Sequence, residues 1–298
     1  MKNSRNLNLK GIIPPVVTPF ASKQGSGINE ESLRKLLRFL LEEGVHGVFV
    51  CGGVGEGLLL HPEECEKVVR ISVDEVNGKV PVLACVWDSS TDKALNTIKH
   101  LADYGADVAL VIAPYYYRFS EDDIYEHFKT LGQEAEIPIM IYDLTRFCGY
   151  DVSPQVLLKL TEIDNIVGIK ESVNDLKFIA ETIHLCGNKL SIFAGAFDIF
   201  LPTLIFGGHG CITGWINCLP KLHVDLFESF QKGDLQKASE LFYKIMPIWK
   251  FGANPVMVKE ALNILGFSVG HPRRPSRPIK EEERMKLRKV LSDLSKDK

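Results

Sequence analysis

The chain has 298 residues, with 35 Lys+Arg against 38 Asp+Glu, 45% hydrophobic and 24% charged side chains. That is the composition of a folded globular protein with a large core, and it excludes intrinsic disorder. A formal charge of −3, without a basic stretch interleaved with aromatics, leaves no electrostatic footprint for nucleic acid or anionic lipid, so small-molecule partners are expected.

The opening segment Met1–Lys10 is polar and lacks the charged lead, apolar stretch and cleavage site of a secretory signal, which makes a cytoplasmic setting the expectation. The longest apolar stretch, around Val108–Pro114, falls far short of the roughly 20 residues a membrane helix needs, so no membrane association is expected. Seven cysteines form no C-x-x-C pair and read as reduced thiols.

Along the chain, short β-branched runs alternate with amphipathic segments. The first run, Ile12–Thr18, is followed by Ser32–Glu43, where Leu33, Leu36, Leu37, Leu40 and Leu41 make an apolar stripe at helical spacing. Further runs are Gly47–Cys51, Val80–Val86, Val108–Ala113, Pro138–Tyr142, Ile166–Lys170, Leu190–Ala194 and Gly210–Thr213, with Asp92–Tyr104 and Glu121–Gly132 repeating the helical pattern between them. The runs are apolar enough to be buried on both faces, as parallel strands are. Eight β-α units of this length predict an α/β fold, a (β/α)8 TIM barrel. A doubly wound open sheet is the alternative, but the first run leads to Thr18-Pro19-Phe20 without the G-x-G-x-x-G fingerprint. Residues 1–218 hold the barrel strands and helices. Residues 219–298 hold the last barrel helix and additional C-terminal helices, Asp234–Lys250, Pro255–Leu265 and Glu281–Leu294, in one structural unit with the barrel. His271–Pro275 reads as a solvated connector.

Barrel enzymes carry their working residues at the C-terminal ends of strands. Lys170 ends the sixth run and Tyr142 the fifth. Burial lowers a lysine pKa and leaves free amine to attack a carbonyl, while a neighbouring tyrosine can move the protons that Schiff-base formation requires. The alternatives are a structural lysine paired with Glu171 or another carboxylate near the barrel mouth, and a tyrosine that only packs. The turn Cys51-Gly52-Gly53-Val54-Gly55-Glu56-Gly57 presents backbone N–H groups suited to a carboxylate or phosphate, or is simply a tight entry to a helix. The eight histidines contain no H-x-x-x-H or H-x-H pair and there is no G-x-S-x-G, so neither a metal site nor a serine hydrolase is expected.

Taken together, Gly11-x-x-Pro14-x-x-x-Thr18-Pro19-Phe20, the G-x-x-G-E turn at Gly52–Glu56, Pro114-Tyr115-Tyr116, Tyr142, Gly168-Ile169-Lys170-Glu171 and Gly207-Gly208-His209-Gly210 resemble the dihydrodipicolinate synthase/N-acetylneuraminate lyase family over nearly the whole chain. The resemblance implies a class I, Schiff-base aldolase-type lyase acting on a 2-oxo acid and an aldehyde, commonly a homotetramer, without metal or organic cofactor. It makes Lys170 the imine-forming lysine and Tyr142 the proton shuttle. Tyr116 matches a tyrosine that reaches a neighbouring subunit's site. Gly53 and Val54 fall where the family grips the carboxylate, and Gly195 and Ile212 on the turns that line the pocket.

The departures concern specificity. The family's threonine pair is replaced by Gly53 and Val54, removing two hydroxyls. After Tyr142 the synthase branch places an arginine for the second substrate's carboxylate; Phe147 stands at that position and Arg146 one residue early, which disfavours synthase activity. Gly195 is followed by Ala196, Phe197 and Asp198, where the lyase branch has acidic residues for sugar hydroxyls. A pocket edged by Phe147, Phe197 and Val54 is expected to favour a small or less polar aldehyde over sialic acid. Dehydration of a 2-oxo-3-deoxy sugar acid through the same imine, or a barrel that binds without catalysis, are the other readings.

Overall fold

The computed structural model describes residues 9–21, 27–172 and 175–295; most of Met1–Lys10, read above for a signal, lies outside them. In chain order the elements are β1 (Gly11–Ile12), α1 (Glu30–Glu42), β2 (Val48–Val50), α2 (Pro62–Val76), β3 (Val82–Val86), α3 (Thr91–Asp103), β4 (Val108–Ile112), α4 (Glu121–Glu134), β5 (Ile139–Asp143), α5 (Thr145–Cys148), α6 (Pro154–Leu160), β6 (Ile166–Glu171), α7 (Leu176–Cys186), β7 (Ser191–Ala194), α8 (Phe200–Ile205), β8 (Gly210–Cys211), α9 (Pro220–Gln231), α10 (Leu235–Trp249), α11 (Pro255–Ile264) and α12 (Glu281–Ser295). The strands form one eight-stranded sheet in the order β1-β8-β7-β6-β5-β4-β3-β2. With helices alternating between its strands and α10–α12 following, the fold is the expected (β/α)8 barrel with additional C-terminal helices. Among the described residues no helix is long and apolar enough to cross a membrane.

The chain divides into two compact units, Met1–Gly11 with Pro81–Ile212, and Ile12–Val80 with Thr213–Lys298. In the first, every residue of β3 to β7 is buried, which explains runs apolar on both faces. Its parallel register sets Ile112 beside Tyr142, Tyr142 beside Lys170, and Lys170 beside Phe193. Register partners emerge on the same face of a sheet, so the order of the strands alone brings Tyr142 and Lys170 together. Gly168, two residues before Lys170 on that face, is required by close packing: a β-carbon there would overlap the Ser191 carbonyl oxygen and come within 3.0 Å of Met140 Cε. At β8, the Gly11 N–H donates to the His209 carbonyl at 2.8 Å, and a β-carbon on Gly210 would run into the Gly11 backbone. His209 itself is structural, its Nδ1 accepting the Ile192 N–H at 3.1 Å.

The outer runs are shorter as strands than their apolar length predicts. Pro14 and Pro15 lack N–H donors, so regular pairing stops at Ile12. In the second unit, Pro15 makes a single parallel bridge to Phe49, and Val16 N–H donates to Phe49 O at 2.8 Å. Asn217, fully buried, takes over where the ladder ends: its Oδ1 accepts Val17 N–H at 3.2 Å and its Nδ2 donates to Pro15 O at 2.9 Å. The eighth run pairs as a strand only over Gly210–Cys211, although Ile212 N–H still donates to Ala194 O at 2.8 Å.

Candidate active site

Lys170 is 4% exposed at the end of β6. Its Nζ stands 4.0 Å from the centroid of the Tyr142 ring, and Tyr142 in turn meets the Trp87 ring edge-on at 6.2 Å between centroids. Burial brings the Lys170 pKa down to about 8, against a weaker upward pull from the Cys85 and Cys211 thiols. An appreciable fraction of the amine is therefore unprotonated near neutrality, which a nucleophile requires. Burial acts oppositely on Tyr142, pushing its phenol well above the ordinary range, so the hydroxyl carries its proton near neutrality. Strand alternation turns Glu171 to the other face, beside its register partner Asp143.

Asp143 follows Tyr142 and is fully buried. One carboxylate oxygen accepts the Val152 N–H at 2.8 Å, which ties the segment after α5 back to β5; the other makes no hydrogen bond. Burial, with help from Asp151, raises its pKa to about 7 despite the Val152 contact. A carboxyl raised in the folded state stabilises the fold below its unfolded pKa of about 4 and loses that contribution as pH rises through about 7. The variant Asp143→Asn is neutral throughout. Its melting temperature relative to the wild type should therefore climb between pH 4 and pH 8; a constant difference across that range would show that Asp143 does not titrate there.

The other expected site residues of this unit follow β4, β7 and β8 or lie on α5. Gly195 continues β7, its N–H donating to Glu171 O at 2.6 Å. Ile212 is fully buried directly after Cys211. Phe197 is 2% exposed and packs against Phe200 at 6.5 Å. Beside it, Asp198 has one buried oxygen without a hydrogen bond, and burial raises its pKa. Phe147, by contrast, is 66% exposed on α5, with the Arg146 guanidinium 5.7 Å from its ring. Tyr116 is 86% exposed, holds a left-handed φ of 78°, and meets Tyr117 edge-on at 5.0 Å. Within its unit it projects outward.

Gly53, exposed, and Val54, half-buried, occupy the loop after β2 in the second unit. Residues that composition gave no role hold this loop. Thr18 Oγ1 donates to Gly55 O at 2.6 Å. Glu56, in a left-handed conformation with φ 58°, forms an ion pair with Lys259 at 2.5 Å, both side chains being at most 2% exposed. Arg273 N–H donates to the other Glu56 oxygen at 2.6 Å. The Arg273 guanidinium grips Glu64 at 2.5 and 2.7 Å and lies 4.5 Å from the Phe20 ring. The connector at His271–Pro275 is thus solvated only in its second half; Pro272 and Arg273 are anchored. A lysine on the apolar stripe of α11, beside Val258, Ala261 and Leu262, was the sequence signal for this buried pair. Among the described residues no three His, Cys, Asp or Glu side chains gather as a metal ion requires.

An amine of depressed pKa at the end of a buried barrel strand, with a phenol over it, is the equipment of a Schiff-base-forming lyase, and the chain is an enzyme of that class. The sequence profile of the Dihydrodipicolinate synthetase family matches residues 8–294, and the chain belongs to that family. A 4-hydroxy-tetrahydrodipicolinate synthase of Methanothrix thermoacetophila is 36% identical over 290 residues, covering 96% of this chain and 97% of the relative. Crystal structures of dihydrodipicolinate synthases from Thermotoga maritima and Aquifex aeolicus superpose with TM-scores of 0.92 and 0.90 at 31% and 32% identity, each covering 96% of this chain and 98% of the other.

Proposed function

We propose that this enzyme makes or cleaves a C–C bond between pyruvate, or a longer 2-oxo acid, and an aldehyde, with Lys170 as the nucleophile. The observation that carries the reading is the Lys170 amine, buried, with a pKa of about 8, 4.0 Å from the Tyr142 ring. The free amine attacks the ketone carbon of the 2-oxo acid. The Tyr142 phenol gives its proton to the departing hydroxyl, water leaves and an iminium forms. The iminium draws electrons from the adjacent carbon, so loss of a proton there gives an enamine that adds to the aldehyde carbon; hydrolysis then frees Lys170.

Backbone N–H groups at Gly53 and Val54 hold the carboxylate, and Gly195 and Ile212 line the pocket. Tyr116, too exposed to serve its own buried centre, reaches the site of a neighbouring copy in a homotetramer, completing a proton route that the missing threonines leave to water. No metal or organic cofactor takes part, and the enzyme works in the cytoplasm.

Arg146, Phe147 and Phe197 set the aldehyde. Apolar rings leave polyol hydroxyls unpaired at about 1–3 kcal/mol for each one buried, and Asp198 offers one acceptor, which fits a small aldehyde bearing few hydroxyls. A second reading, synthesis of 4-hydroxy-tetrahydrodipicolinate, is favoured by the name of relatives 36% identical to this chain; Arg146 would then serve where the synthase pattern has its arginine one residue later. Incubating pyruvate with small, aromatic, sugar and carboxylate-bearing aldehydes separates the readings. Turnover of small or aromatic aldehydes to a new 2-oxo acid is expected. Preference for a carboxylate-bearing aldehyde, with 4-hydroxy-tetrahydrodipicolinate as product, selects the second reading. A single dehydrated 2-oxo acid formed from a sugar acid makes the enzyme a dehydratase, and pyruvate binding without turnover across the panel makes it a binding protein.

A further inference from the structure

Two thiols that the imine chemistry does not use meet behind the glycine loop. Cys51 directly follows β2, is 2% exposed and holds a left-handed φ of 55°, a conformation unfavourable for a residue with a β-carbon. Its Sγ lies 4.0 Å from the Cys65 carbonyl oxygen, to which it donates. Cys65 sits in the first turn of the 15-residue α2 and is half-buried, so small oxidants can reach it. The two thiols are also hydrogen-bonding neighbours. The Cys51 contact, aided by the charge of Arg273, holds the Cys65 thiol below its ordinary range in spite of burial and the nearby Glu63 and Glu64. Arg273 is fixed there by Glu64 and by its donation to Leu59 O at 2.7 Å. Burial drives Cys148, Cys186, Cys211 and Cys218 the other way. A thiolate-prone, accessible cysteine beside a second thiol is the arrangement of a redox-sensitive pair.

We propose that Cys51 and Cys65 are a dithiol that a hydroperoxide converts to an intramolecular disulfide, and that the closed bridge weakens 2-oxo acid binding by pulling the start of the glycine loop against α2. The effect on binding rests on the assignment of Gly53 and Val54 to the carboxylate; the bridge itself does not. The Cys65 thiolate attacks one peroxide oxygen, the O–O bond breaks, and the leaving hydroxide takes a proton to become water. Cys65 is then a sulfenic acid. Cys51 sulfur attacks the Cys65 sulfur, an S–S bond forms as the S–O bond breaks, and the hydroxyl leaves as water with the proton Cys51 gave up. Two thiols have lost two electrons and two protons, and the peroxide has been reduced to two waters. Closure brings the sulfurs to about 2.05 Å. Cys51 must shift toward α2 for this, and Gly52 and Gly53 follow it in the chain.

The full-length reduced protein is exposed to hydrogen peroxide, alkylated, and digested without reductant for mass spectrometry. The expected product is a Cys51–Cys65 peptide pair lighter by two hydrogens than the separate thiol peptides, restored to them by dithiothreitol, and absent from Cys65→Ser and from Cys51→Ala. Sulfinic or sulfonic acid at Cys65 with Cys51 still alkylated, or a bridge from Cys65 to another cysteine, overturns the proposal. On the same samples the KM for pyruvate should rise about threefold or more in the bridged wild type, recover with dithiothreitol, and stay at the reduced value in peroxide-treated Cys65→Ser. A bridged enzyme with unchanged KM overturns the link to binding. The peptide map does not depend on turnover, and trapping of the imine in the reduced enzyme examines Lys170 separately, so failure of one assignment is distinguishable from failure of the other.

Discussion

Lys170→Ala is expected to lower kcat/KM for the 2-oxo acid by ~10⁴-fold or more, since it removes the nucleophile and with it the covalent path. Lys170→Arg should be equally inactive: a guanidinium stays protonated and cannot form the imine. The alanine variant should remain folded, because it removes an amine whose desolvation opposes its charge. The pH profile carries the same signature. Because burial sets the Lys170 pKa near 8, imine formation should increase with pH and level off above about 8, far below the range of an exposed lysine. Residual activity of Lys170→Ala within tenfold of wild type, measured by steady-state kinetics, would place the chemistry elsewhere.

Tyr142→Phe should reduce kcat by ~10²–10⁴-fold, the usual contribution of a positioned acid or base. The phenyl ring keeps its place 4.0 Å from Lys170 Nζ and its edge contact with Trp87, so the environment that depresses the lysine pKa is preserved. What disappears is the hydroxyl proton. The imine should still form in Tyr142→Phe, more slowly, and its pH dependence should still break near 8. Full kcat in this variant would mean that another group carries the proton. Loss of the pH break together with kcat would mean that the tyrosine acts on the lysine itself.

Strands buried on both faces were legible because nothing polar interrupts them, and the pairing of Lys170 with Tyr142 follows from counting to the ends of neighbouring runs. Contacts spanning long stretches of chain were not. Asn217 replaces backbone pairing at Val17, 200 residues away, and no local pattern distinguishes it from any other asparagine. Glu56 was visible as part of a motif and Lys259 as a lysine on the apolar stripe of α11, but no local pattern pairs the two across 203 residues of chain. Phe147 and Phe197 look alike in the sequence as apolar pocket edges, yet one lies on the exposed turn of α5 and the other is packed against Phe200. Side-chain direction in turns is set by hydrogen bonds such as Val152 N–H to Asp143, which spacing does not encode. Tyr116 was singled out by its motif alone; its left-handed backbone and outward ring became evident only in three dimensions.

The most direct measurement is reduction of the reduced, full-length enzyme with borohydride in the presence of pyruvate, followed by peptide mass spectrometry. An imine at Lys170 is trapped as a stable secondary amine, so the predicted result is one pyruvate-derived mass on the peptide containing Lys170, absent without pyruvate and absent from Lys170→Ala. No adduct in the wild type, or an adduct that persists in Lys170→Ala, would contradict the assignment of Lys170 as the nucleophile.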